Sequence, residues 1–108
     1  MKYLVSAILA LIFTGFANAG EVVKDAEIVL VGNTANGQDD FFIRVQGGAG
    51  PCVDSLIKFP RSAAATRELH DRAYSLALAA FAMGNKKVRV FNFVDDSCAT
   101  ASYIEMSR

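Results

Sequence analysis

Residues 52–98 read CVDSLIKFPRSAAATRELHDRAYSLALAAFAMGNKKVRVFNFVDDSC, and this stretch decides the fold. It begins and ends on the only two cysteines of the chain. Cys52 to Phe59 reads as a strand with Val53, Ser55, Ile57 and Phe59 on one side, and Pro60 ends it. Ser62 is placed to cap a helix. Leu69, Ala73, Leu76, Ala77, Ala80 and Met83 then recur at spacings of three and four, with Tyr74, Leu78 and Phe81 widening the stripe. That stripe is expected to lie on the core. The opposite face begins polar (Glu68, Asp71, Arg72, Ser75) and ends small (Ala79, Ala82). Small residues let another helix approach closely, and equally suit an alanine-rich surface helix. Gly84-Asn85 supplies the C-cap, and Lys86 and Lys87 complement the negative helix end. In Val88 to Val94, Val88, Val90, Asn92 and Val94 alternate with Arg89, Phe91 and Phe93, which predicts a strand.

Outward from this stretch the chain is all strand. Glu21 to Val31 is the first, with both faces becoming apolar toward its end, as in a strand covered on both sides. The turn at residues 32–38 holds Asn36-Gly37, a pair suited to a tight hairpin. Asp39 to Gln46 follows, with Phe41, Ile43 and Val45 on one face and Phe42, Arg44 and Gln46 on the other. Residues 47–51, GGAGP, form a break. They lack the Lys-Ser/Thr that a phosphate-cradling loop needs. After the turn Asp95-Asp96-Ser97, Ala99 to Met106 is the last strand.

The N-terminus reads as a cleaved export signal. Lys2 is followed by an apolar run from Leu4 to Phe16, and Ala17-Asn18-Ala19 is a small-x-small site, which places the cut after Ala19. The run is shorter than the roughly 20 residues a membrane span needs, so no membrane insertion is expected. Residues 20–108 are then a single domain, periplasmic or secreted. The chain has 11 basic and 11 acidic residues. It has no basic excess to follow a phosphate backbone, and nucleic acid is not an expected partner. In an oxidising compartment two cysteines predict a disulfide, Cys52–Cys98. Closing that loop is worth roughly 4 kcal/mol by chain entropy, a large share for so small a domain. Two sulfurs and one distant histidine do not make a metal site, and no cofactor motif is present.

The element order β-β-β-α-β-β defines an α+β chain, rich in strand, with the arrangement of an OB-fold: a five-stranded, partly open barrel with its helix between the third and fourth strands. There the third and fifth strands run parallel, so Cys52 and Cys98 fall at the same end of the barrel.

With this order, the segments Phe42-Ile43-Arg44-Val45-Gln46-Gly47, Ala73 to Gly84 and Lys87-Val88-Arg89-Val90-Phe91-Asn92 resemble the B subunits of bacterial toxins built from one A and five B chains, nearest the subtilase cytotoxin type. The resemblance implies a homo-pentamer with helices lining a pore, a possible toxin A-type partner chain, and a pocket for cell-surface sugars. Its polar residues would fall on Asp25, Gln46 and Asn92.

No catalytic constellation is legible, and the chain is expected not to be an enzyme. His70 is the only histidine and reads as a partly exposed helical residue. Ser75, His70 and Asp71 share one helix at spacings that do not build a nucleophile, base and orienter. Asp39-Asp40 and Asp95-Asp96 read as solvated turn charges. Phe41, Phe42, Phe91 and Phe93, interleaved with Arg44 and Arg89, could stack single-stranded bases, but the charge balance argues for core. The expectation is an exported carbohydrate-binding module. The alternative is a periplasmic protein-binding OB domain, an inhibitor or envelope-stress factor, that recognises an envelope protein through the Phe42/Arg44/Gln46 face.

Overall fold

The computed structural model describes residues 20–34 and 39–108. The expected leader, residues 1–19, and the Asn36-Gly37 turn lie outside the described residues. The elements are β1 (Glu21–Asn33), β2 (Phe41–Gln46), β3 (Leu56–Phe59), a 3-10 turn (Arg61–Ala63), α1 (Arg67–Met83), β4 (Val88–Phe91) and β5 (Tyr103–Met106). They make one five-stranded antiparallel sheet in the order β3-β2-β1-β4-β5, partly open, with one helix.

β1 serves both halves of the sheet. Glu27 to Asn33 pairs with β2, and Glu21 to Ala26 pairs with β4. The register shifts between Glu21 and Val23, between Val23 and Ala26, and again between Ile28 and Leu30. Asp25 takes φ 54° at this crossing. Such irregularities bend a strand and raise its twist, which lets one 13-residue strand turn from one half of the sheet to the other. The shifts also explain a departure from expectation. Val22 and Val23 are both buried at the start of β1, whereas Val29 and Leu30 near its end are exposed. The glycine-rich break folds back on β1, where Lys24 and Ala49 exchange backbone bonds of 2.9 and 3.0 Å. A Cβ on Gly48 would run into the Lys24 carbonyl oxygen, so this close approach requires glycine.

The edge strands meet through one residue. The Lys58 N–H donates to the Cys98 carbonyl (2.8 Å), and the Ala101 N–H donates to the Lys58 carbonyl (3.0 Å). Both bonds are made by one β3 residue, on either side of it in the partner segment, which is a parallel contact with an extra residue. The Cys52–Cys98 disulfide lies beside it, with Cα atoms 5.8 Å apart. These links draw β3 toward the segment before β5. β3 and β5 are shorter than expected because residues 51–54 form a turn and the segment before β5 runs through this junction.

The helix begins later than expected. Ser62 lies in the 3-10 turn, and Thr66 is the N-cap, its hydroxyl accepting from the Leu69 N–H at 3.2 Å. Gly84 ends α1 in the left-handed conformation, with its N–H on the Ala80 and Phe81 carbonyls. The buried face is His70, Ala73, Ala77 and Ala80. Leu76 and Tyr74 pack beside this face, whereas Leu69, Leu78, Phe81 and Met83 are exposed, so the buried face keeps the expected phase but is narrower than the expected stripe. The core is already filled by Phe41, Ile43, Ile57 and Phe59, and the helix fits against it by its narrowest face. His70 is buried, contrary to the expectation of partial exposure. Its Nε2 lies 2.9 Å from the Phe59 carbonyl and its ring 5.2 Å from that of Phe41. Nε2 therefore carries a hydrogen, and the side chain pins α1 to the end of β3.

Candidate binding surface

Asn92 follows the last residue of β4 and turns inward. It is 2% exposed. Its Nδ2 donates to the Asp95 carboxylate (3.0 Å), the Ser97 carbonyl (2.8 Å) and the Thr100 hydroxyl (2.7 Å). Its Oδ1 accepts from the N–H groups of Val94 (2.8 Å) and Asp95 (3.0 Å). The amide is saturated by its own loop and has no donor or acceptor left for a ligand. Asp95 completes the knot by accepting from the Ser97 N–H (2.9 Å) and the Thr100 hydroxyl (2.8 Å). These bonds, the one from the Ser97 backbone first, lower the Asp95 carboxyl to about 2. Asp95 is exposed in its turn, as expected, and its bonds also make it an organiser of the β4–β5 connection.

The three polar residues expected at a sugar pocket do not converge. Asp25 is exposed at the β1 crossing, and Gln46 is exposed at the end of β2, opposite Glu27. Those two lie close on neighbouring strands. The Asn92 N–H donates to the carbonyl of Gly20, just before β1, and its side chain faces inward.

What the fold does bring together is aromatic. Val88 and Val90 point into the core, so Arg89 and Phe91 point out, and Phe93 continues the outward row. Antiparallel pairing sets Phe91 opposite Tyr103 and Arg89 opposite Glu105. The Phe91 and Phe93 rings stack with centroids 5.9 Å apart, and Tyr103 meets them at 5.4 and 6.2 Å. Phe93 is 69% exposed and Tyr103 46%. Phe41 and Phe59 are core, stacked at 4.5 Å, as expected, but Phe91 is only half-buried and Phe93 is exposed, which corrects the core reading for those two. Phe42 is half-buried, its ring lying over Gly32, which a Cβ there would strike.

Arg89 stands over the Phe91 ring at 5.2 Å. Its Nε donates to Glu21 at 2.9 Å and its Nη1 to Glu105 at 3.0 Å. The Glu21 bond, more than any other influence, holds the guanidinium above its ordinary range. The Tyr103 hydroxyl lies 3.3 Å from Glu105. Beside the rings is a cavity of about 430 Å³, bounded by Ala63 to Ala65, by Leu69, Arg72, Ala73 and Leu76 of α1, and by Ser102 to Ile104, with Phe93 at its mouth. A smaller polar cleft of about 240 Å³ adjoins His70, between Asp39, Asp40, Arg61 and Arg67. Among the described residues no group of three or more His, Cys, Asp or Glu side chains could hold a metal ion. None of the described helices is long and apolar enough to cross a membrane.

A model of a protein family of unknown function, DUF5992, matches residues 2–108. The chain belongs to this family. No curated protein and no solved structure matches it.

In this DUF5992 chain the aromatic surface had one signal in the sequence. Phe91 and Phe93 share the face of a charged residue, Arg89, and a strand buries one face at a time. Tyr103 had no such signal, because its place beside Phe91 depends on the β4–β5 register. The knot at Asn92 left only the turn residues Asp95, Ser97 and Thr100, each with a side chain able to bond backbone.

Proposed function

We propose that this chain is an exported, non-enzymatic binding module, an OB barrel that binds carbohydrate on the outer face of β4 and β5. One observation carries the reading: Phe93 and Tyr103 stand exposed in a packed aromatic group, bordered by Arg89, Glu21 and Glu105. Large rings are normally removed from water, and exposure of this kind marks a contact surface. The negative face of an aromatic ring suits the C–H face of a sugar, and the bordering carboxylates and guanidinium suit its hydroxyls. The OB assignment is supported by the strand order, by the helix between β3 and β4, and by the parallel contact at Lys58. The disulfide accords with an oxidising compartment, periplasmic or outside the cell. The resemblance to toxin B subunits extends this reading to a homo-pentamer, with the exposed Leu78, Phe81 and Met83 of α1 turned toward neighbouring helices.

The test is a glycan array probed with oxidised residues 20–108 and with Phe93→Ala and Tyr103→Ala. The wild type is expected to select a small set of glycans and each variant to lose at least tenfold in binding at unchanged fold. No glycan bound, or variants that bind as well, would overturn the proposal. The second reading, recognition of an envelope protein, is favoured by one feature. The cavity beside Phe93 is lined mainly by alanine, leucine and isoleucine and would take an apolar side chain.

A further inference from the structure

The sugar reading of the β4–β5 face leaves open what charge its ligand carries, and the inference here rests on that reading. We infer that the face takes a sugar bearing a free amine, a cationic amino sugar, and rejects acidic sugars. The argument is charge complementarity. An acidic sugar needs a free guanidinium or ammonium to receive its carboxylate. The guanidinium of β4 is Arg89, and three of its five N–H groups are engaged, Nε and Nη2 on Glu21 and Nη1 on Glu105. One cation is thus shared by two carboxylates, and Asp25 adds a third negative charge to its field. Asp96 lies on the loop just beyond Phe93 and lines a shallow cleft with Gly20 and Val94. Arg72 is a cation on the far, helix side of the neighbouring cavity. The face remains net negative around its rings.

Arg89 itself displays the chemistry the ligand would use. Its cation rests on the Phe91 ring while two carboxylates flank it. The exposed Phe93 ring offers the same kind of surface to a second cation, and Asp96 lines the cleft beside that ring. An ammonium on a sugar ring brings together the three things this face supplies: an aromatic plane for its C–H face, acceptors for its hydroxyls, and an excess of negative charge. A carboxylated sugar stacked on these rings would meet that excess, and Arg89 beneath it is already held by two carboxylates.

Calorimetric titration of oxidised residues 20–108 with glucosamine tetramer, its fully N-acetylated form, sialyllactose and a trilysine peptide tests this. The glucosamine tetramer is expected to bind about five- to tenfold more tightly than the acetylated form. That margin should shrink as salt rises from 20 to 300 mM, as for exposed charge pairs. Sialyllactose is expected to bind least. Asp25→Asn with Asp96→Asn should erase the preference for the amine while leaving binding of the acetylated tetramer in place. Equal or tighter binding of the acetylated or sialylated sugar, still abolished by Phe93→Ala, would overturn the charge inference and leave the sugar reading standing. Tighter binding of trilysine than of any sugar would overturn the choice of a sugar as the cation's carrier. Failure of every sugar, with Phe93→Ala without effect, would overturn both.

Discussion

Replacing Asn92 by alanine should unfold the β4–β5 connection and cost the protein much of its stability. The side chain donates to Asp95, Ser97 and Thr100 and accepts from the Val94 and Asp95 N–H groups. Two hydrogens serve its three acceptors, so about four net bonds are at stake. At about 1 kcal/mol each the loss approaches 4 kcal/mol. Val94 and Asp95 are exposed, and water would replace part of what they lose. We therefore expect about 2–3 kcal/mol, or a fall of about 10–20 °C in Tm for a domain of this size. Thermal denaturation of oxidised residues 20–108, followed by circular dichroism, measures it directly. Asn92→Asp is the informative partner. It keeps the acceptor for Val94 and Asp95 but sets a carboxylate beside the Asp95 carboxylate and the Ser97 carbonyl. It should be as harmful as alanine at pH 7 and recover partly below pH 4, where the new carboxyl protonates. A fall of less than about 3 °C in Asn92→Ala would refute the claim that this residue is a scaffold. It would also return Asn92 to consideration as a ligand contact.

Two further outcomes are expected. Replacing Cys52 and Cys98 together by serine releases a loop with a sequence separation of 46 and should cost about 4 kcal/mol, measured as the shift in urea unfolding free energy; a change below about 1 kcal/mol would contradict it. The Asp95 carboxyl sits at about 2, below its ordinary 3.8, because the folded loop bonds its ionised form. Its contribution is therefore complete above about pH 4 and lost as pH falls toward 2. The stability gap between the wild type and Asp95→Asn should narrow across that window, and a gap independent of pH would refute the role.

The order of elements was legible because each has a local cause. Phe41, Ile43 and Val45 alternate in the sequence and are all buried in β2. Gly84 could end the helix because it tolerates a left-handed backbone, and it does. The phase of α1 was legible in Ala73, Ala77 and Ala80, but the width of its buried face was not, because apolar residues occur around most of its circumference and the core covers only a narrow strip. The bend at Asp25 was hidden for a related reason, since no glycine or proline marks it and the strand on either side of it reads as continuous. The Cys52–Cys98 bond was readable from cysteine number alone. Asn92 stood out only as a polar residue in an inward row, and that pattern fits a pocket or a buried scaffold equally. The structure distinguishes them by the partners it supplies. The aromatic face needed β4 and β5 to be placed side by side before Phe91, Phe93 and Tyr103 could be seen as one surface.

The most direct test of that surface is nuclear magnetic resonance mapping of isotope-labelled, oxidised residues 20–108, titrated with the strongest glycan from the array. The account predicts saturable shifts centred on Arg89, Phe91, Phe93, Tyr103 and Glu105, with Gln46 and the cleft at His70 unmoved. Shifts centred on Gln46 or on that cleft, or no shift with any glycan, would contradict it.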